Sequence, residues 1–308
     1  LVECSKPIQI KADLYSSRTP SEPLDSASGT VHEIRLKYPS QFTFLALVLA
    51  AAFVGAVLTI VLGKRLSFRE RSGVLLIFAL ALSLRAFDLS STASMADELN
   101  FLNLLSTQII LSGWHWPVNL IRTLPYPPLF LYFQAFTIYL FGVRLEVLRY
   151  FSVLFGGLAV VTVYFTGSSL FGRKVGLMSS LLLCFCGYHI LYSRLVMTEA
   201  LESFLILAST YFLWRGYQGH DSRSILASGI FMALALNSKY IALPPALGSL
   251  IFFAWTRKSW RVILEKQFLI WLVTVIVLIS PVQLTLFTTG INQYQLYLES
   301  YTLYKAEG

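Results

Sequence analysis

The chain has 308 residues, of which 56% are hydrophobic, 15% aromatic and 13% charged, with a mean hydropathy of +0.66. A soluble domain carries about a quarter charged residues, so this composition excludes an ordinary soluble fold. The formal net charge of +8 reads as Lys and Arg in cytoplasmic loops, not as a nucleic-acid footprint.

Hydrocarbon offers no partner to open backbone groups, so the expected fold is all-α and polytopic. Residues 1–41 are polar and mixed in charge and read as an extracytoplasmic tail or the remnant of an upstream module. Within them, Ile8–Leu14 alternates as one strand would. The chain opens at Leu1 and ends in polar sequence at Gly308, which suggests a fragment or processed product. Residues 42–72 read as an additional N-terminal span with its cytoplasmic loop, and 291–308 as an outer loop. The apolar stretches run 42–63, 73–89, 127–142, 147–170, 175–192, 200–214, 224–238, 240–255 and 268–288. Several are shorter than the roughly 20 residues of a full span. Tyr126-Pro127-Pro128 marks the start of the third as a helix N-terminus.

Loop charge decides whether that third stretch crosses. If it does, Lys and Arg from position 64 onward divide eight inside (Lys64, Arg65, Arg69, Arg71, Arg144, Arg149, Arg194, Lys239) against nine outside. If it lies in the outer interface, Arg173, Lys174, Arg215, Arg223, Arg257, Lys258, Arg261 and Lys266 join the first four inside. Twelve then face five, namely Arg122, Arg144, Arg149, Arg194 and Lys239. The positive-inside rule selects the second arrangement, with about eight spans and both ends outside. Asp97 to about Leu145 becomes a large outer first loop with an amphipathic helix near 97–112. Gly113-Trp114-His115-Trp116-Pro117 is a turn with interfacial tryptophans, and a second helix from Pro127 lies along the membrane.

This topology gathers Asp97, Glu98, Glu199, Glu202, Arg149, Arg194 and Lys239 at one face. Carboxylates at a membrane boundary are costly and mark functional sites. Singly, each has a plainer reading: Asp97-Glu98 and Glu199 as helix N-terminal acids, Arg149 and Lys239 as snorkelling cations, Arg194 as a partner of Glu199. Together they suit one reaction, in which a carboxylate removes a proton from a hydroxyl while cations hold a leaving phosphate. His115 and His189 read mainly as interfacial or packed side chains. Cys184 and Cys186 lie on different faces of an apolar helix and suggest neither metal nor disulfide. Gly156-Gly157, inside a span, reads as a close helix contact. There is no phosphate-binding Gly-Lys-Ser/Thr loop and no serine nucleophile elbow.

The ordered series Asp97-Glu98, Gly113, Tyr126-Pro127-Pro128-Leu129, Phe141-Gly142, Leu148-Arg149, Leu170-Phe171-Gly172-Arg173, Tyr192-Ser193-Arg194 with Glu199, and Ser238-Lys239-Tyr240 resembles the GT-C superfamily. Within it, protein O-mannosyltransferases, lipid A aminoarabinose transferases and other glycosyltransferase family 39 members are most similar. The resemblance covers about residues 73–290, read as the membrane catalytic module. It implies a GT-C-like transmembrane helix bundle that transfers a sugar from a polyprenyl-phosphate carrier to a hydroxyl acceptor on the extracytoplasmic face, with inversion. Asp97 is then the expected base or acceptor binder, with Glu98 beside it and Glu199 shaping the same site. Lys239 is the expected donor-phosphate ligand, and Arg149, Arg194, Tyr126 and His115 complete the substrate-binding set. Many members carry His or Lys where this chain has Tyr126, and the family's later spans and C-terminal domain are not in this sequence. A divalent metal is not favoured, since the basic neighbours already neutralise phosphate. A transporter or flippase of a lipid-linked substrate would instead place charge at the midplane of repeated halves. A noncatalytic assembly subunit would leave the acidic, cation-rich face without purpose.

Overall fold

The computed structural model describes residues 66–93, 98, 106, 109–110, 127–141, 145–257 and 265–288, all within one unit, Lys37–Gly308. The polar tail, the span at 42–63, most of the helix expected near 97–112, the Gly113–Pro117 turn and residues 291–308 lie outside the described residues. Every regular element among the described residues is helical: α1 Phe68–Ala86, α2 Leu129–Phe141, α3 Leu145–Phe171, α4 Arg173–Phe185, α5 Gly187–Ser193, α6 Glu199–Gly219, α7 Ser222–Leu236, α8 Leu243–Arg257 and α9 Lys266–Thr288. Short 3-10 turns occupy Leu89–Ser91 and Tyr240–Ala242.

The helix ends follow local chemistry. Ser67 and Glu70 form a reciprocal capping box at the start of α1, which satisfies two backbone donors that the helix leaves open. Asp221 caps α7, accepting from the Arg223 N–H at 3.0 Å and the Ser224 hydroxyl at 2.6 Å. The turn from α3 to α4 needs φ of 95° at Gly172, which a side chain would strain. Below it the two helices touch through glycine: a Cβ at Gly176 would meet the Tyr164 carbonyl at 2.6 Å and the Ser168 nitrogen at 2.7 Å. In α9, Pro281 has no N–H to give the Val277 carbonyl, and the Ser280 hydroxyl donates to it at 2.9 Å instead.

At the centre stands α3, with every residue from Gly156 to Thr162 buried. It packs against α1, α2, α4, α5 and α6, while α7 packs on α6 and on α9. Polar side chains turn inward and bond across helices. Ser209 of α6 donates to the Ser228 carbonyl of α7 at 2.9 Å, and Trp271 of α9 donates to the Ser228 hydroxyl at 3.1 Å. Leu182, Ile251, Val273, Ile276 and Val277 face outward. Apolar faces outside and hydrogen-bonded serines inside suit helices in lipid. Among the described residues, α3 is the one helix long and apolar enough to cross a membrane by itself; α4 and α5 qualify as a bent pair.

Two features depart from the sequence reading. The stretch 175–192 is not one straight helix: α4 and α5 meet at Cys186 with a 62° bend. At the bend sits Arg85, a buried cation to which the sequence reading assigns nothing. Fully buried on α1, it donates to the carbonyls of Cys184 at 3.3 Å and Leu183 at 3.1 Å, and to His189 Nδ1 at 2.9 Å. The carbonyls at the break thus receive a charged donor. The Gly156-Gly157 contact is as read: a Cβ at Gly156 would lie 2.3 Å from the Ser193 hydroxyl and 3.1 Å from Arg85 Cδ.

The helices give the bundle two ends. At one, Glu70 of α1 pairs with Arg173 of α4 at 2.5 Å. At the other, the C-terminus of α1 meets the N-termini of α3 and α6 and the C-terminus of α7.

Candidate active site

The second end is organised by two arginines. Arg149, one turn into α3, projects its guanidinium into a fully enclosed space. Its Nε and Nη2 donate to the two Glu98 carboxylate oxygens, both at 2.8 Å. Its Nη1 donates to the carbonyls of Leu89 at 2.6 Å and Thr92 at 3.1 Å. Glu98 Oε1 also accepts the Val196 N–H at 2.9 Å. The Arg149 and Glu98 side chains are 1% and 0% exposed. The paired planar geometry is what makes Arg the residue for such a contact.

Arg194, just past α5, works on the same segment from the other side. It donates to the carbonyls of Phe87 and, at 2.9 Å, Asp88, and to the Thr92 hydroxyl at 2.7 Å. These carbonyls follow the last turn of α1, where a cation complements the helix dipole. Thr92 joins the two arginines, its carbonyl serving Arg149 and its hydroxyl Arg194. Among the described residues Arg194 makes no ion pair with Glu199.

The second acidic element opens α6. Three residues after Val196, at most about 11 Å along the chain, Glu199 pairs with Lys239 at 2.6 Å. Lys239 stands after α7 in extended backbone, before the Tyr240–Ala242 turn. This pair is 27% and 30% exposed, so it faces an open space while Glu98–Arg149 does not. One turn inward on α6 lies Glu202, 5% exposed. The N-terminus of α2 is tied here too, through the Leu129 N–H to the Asn237 carbonyl at 3.0 Å.

Of the residues expected from sequence, Glu98, Arg149, Arg194, Glu199 and Lys239 thus gather around one connected segment, Arg194 to Glu199. Asp97, Tyr126 and His115 lie outside the described residues. The sequence reading misses Thr92, the Leu89 carbonyl and the Val196 N–H. The backbone contacts were beyond reach of sequence, and Thr92, four residues after Asp88, had no charge to mark it. No three His, Cys, Asp or Glu side chains among the described residues cluster as metal ligands.

The model of the family described as dolichyl-phosphate-mannose-protein mannosyltransferase matches residues 126–284, just over half of the chain. Among solved structures, the S. cerevisiae protein O-mannosyltransferase Pmt1-Pmt2 complex bound to the sugar donor matches with a TM-score of 0.57 at 21% identity. The match covers 74% of this chain and 34% of that one, so this chain spans about a third of that relative's length. No curated protein matches. The family model and the shared fold agree with the order of motifs in the sequence: the chain belongs to the dolichyl-phosphate-mannose-protein mannosyltransferase family of the GT-C superfamily.

Proposed function

We propose that the chain is a glycosyltransferase that moves a sugar from a polyprenyl-phosphate carrier to a hydroxyl acceptor on the extracytoplasmic face, with inversion. Residues 73–290 form its catalytic module within a chain of about eight spans, the first of them at 42–63, with α2 in the outer interface. Asp97 takes the proton of the acceptor hydroxyl, whose oxygen attacks the anomeric carbon. The carbon–oxygen bond to phosphate breaks, and the phosphate leaves with the electron pair. Lys239 stabilises the charge that develops on it. Glu199 holds Lys239 at 2.6 Å in its half-exposed position. The positive charge at the leaving group comes from Lys239, so the step is written without a divalent metal. Tyr126 and His115 belong to the same outer loop and contact the substrates.

One observation carries this reading. The buried Glu98–Arg149 pair, tied to Val196, fastens the immediate chain neighbour of Asp97 to the segment that leads into Glu199 and Lys239. This supports a base and a phosphate ligand from distant parts of the sequence acting at one site, as a reaction limited by positioning requires. Glu98, expected from sequence to share the catalytic work, receives a positioning role, because its oxygens already accept from Arg149 and Val196. Arg149 and Arg194 likewise hold the first loop, their guanidiniums directed to protein acceptors.

Asp97→Asn tests the proposal in the purified chain with polyprenyl-phosphate sugars. Transfer falls by about 10²–10⁴ while the protein stays folded. A fully active variant refutes the base. Cysteine labelling at Val143 and Lys174 tests the topology; a cytoplasmic Val143 overturns it.

A transporter of a lipid-linked substrate is the alternative that one observation favours, the broken helix at Cys186. The carbonyls at that break, however, are taken by Arg85. Flux of labelled lipid into vesicles without sugar transfer would favour the transporter.

A further inference from the structure

Glu202 is the buried ionisable group that the scheme above leaves unused. It lies on α6 three residues after Glu199, hence on the same helix face and about 4.5 Å further along the axis. It is 5% exposed, and its Oε1 is fully enclosed with no hydrogen-bond partner among the described residues. The charges that act on it are Lys239 and Glu199. Among the described residues at this end, the buried Glu98 accepts from Arg149 and Val196, and the partly exposed Glu199 accepts from Lys239. An enclosed acid without a donor costs several kcal/mol in isolation, and this one stands beside the proposed phosphate ligand, on its inward side.

We propose that Glu202 is a sugar-binding residue, its carboxylate accepting a hydrogen bond from a hydroxyl of the donor's sugar ring. This rests on the glycosyltransferase reading above. Three features support it. A carboxylate is acceptor-only and complements a hydroxyl donor. Glu202 stands one helical turn from Glu199, which holds Lys239, so a donor whose phosphate meets Lys239 has its adjoining sugar ring within reach of Glu202. The first turn of α6 holds both acids at fixed spacing, so phosphate and ring positions are set by one rigid element. Glu202 then contributes to the choice of sugar, while Lys239 takes any polyprenyl phosphate.

The test uses two probes on the full chain in lipid nanodiscs: a polyprenyl phosphate without sugar and a polyprenyl-phosphate mannose. Glu202→Gln keeps size and shape. It is expected to weaken binding of the sugar-bearing lipid about ten-fold, the effect of exchanging a carboxylate acceptor for a neutral amide, and to leave the bare phosphate lipid unchanged. Lys239→Ala is expected to weaken both. If Glu202→Gln binds both lipids as the parent does while Lys239→Ala weakens both, the sugar contact is overturned and the glycosyltransferase reading stands. If the parent chain binds neither lipid, both fall together. Should Glu202→Gln fail to fold, the parent chain is titrated with singly deoxygenated mannose donors. Loss of affinity for one deoxy position supports the contact, and equal affinity for all of them overturns it.

Discussion

Two ion pairs frame the same six-residue segment, and they differ in nearly every physical respect. Glu98–Arg149 is sealed, at 0% and 1% exposure, and its members satisfy each other and three backbone groups besides. Glu199–Lys239 stands in a half-open position, at 30% and 27% exposure. A buried pair is strongly destabilising to break, because the survivor is left charged and enclosed. A half-exposed pair contributes little to stability, because water competes for both members. The first pair is therefore suited to hold a loop and the second to exchange partners with a ligand. Charge alone, which marks both pairs equally in the sequence, does not distinguish these roles.

The largest effect is expected at the sealed pair. Arg149→Met leaves the Glu98 carboxylate enclosed and should cost about 3–5 kcal/mol, read as a large fall in the thermal midpoint in detergent. Glu98→Leu should cost a similar amount. The double variant should be less damaged than the sum of the two, since it leaves no orphan charge. Strict additivity would mean that the two side chains do not act as a unit.

The helices were legible because apolar runs and their polar breaks are local. Eight of the predicted stretches from residue 73 onward coincide with described helices or, for 175–192, with the pair α4 and α5. Pro127-Pro128 marks the start of α2, which begins at Leu129. The gathering of Glu98, Arg149, Arg194, Glu199 and Lys239 followed from alternating helix directions, so it too was legible in outline. Which cation meets which acceptor was not. Arg194 reads as a partner for Glu199, five residues on, yet its guanidinium goes to the Phe87 and Asp88 carbonyls and the Thr92 hydroxyl, 102 to 107 positions away in sequence. The break at Cys186 has only Gly187 as a local cue, and the donor that serves its carbonyls is Arg85 on another helix. Such contacts depend on which backbone groups packing leaves unpaired, and a single sequence does not carry that.

Next in size is the open pair. Lys239→Ala should reduce affinity for the lipid donor about ten- to a hundred-fold and change affinity for the hydroxyl acceptor little. Its effect on the thermal midpoint should correspond to no more than about 1 kcal/mol. The reverse outcome, a large loss of stability with donor affinity intact, would make Lys239 a second rivet and remove the contrast between the pairs. Arg194→Lys sharpens the comparison from the other side. It keeps the charge after α1 and loses the planar fork, so it should cost about 1–2 kcal/mol and lower turnover while leaving donor affinity unchanged. A selective loss of donor affinity would show that Arg194 meets the phosphate after all.

The smallest effect belongs to the pair at the opposite end, which serves as the reference for both. Glu70 and Arg173 meet at 2.5 Å, with Arg173 64% exposed. The Ser67 N–H, and then the Ser67 hydroxyl and Arg173, hold the Glu70 carboxyl below its ordinary value of 4.5. Because the folded value is the lower one, the stabilising contribution is fully present above pH 4.5 and is lost as pH falls through the folded value. Glu70→Gln should therefore lower the thermal midpoint slightly at pH 7, and that small difference from the parent should vanish as pH falls below 4.5. Added salt should mute even that difference, since exposed charges are screened within about 8–10 Å at ordinary ionic strength. Equal salt sensitivity at Glu98–Arg149 would contradict its burial, because a sealed pair is screened far less. The salt series on Glu70→Gln and Arg149→Met together thus measures directly how different the two ends of the molecule are.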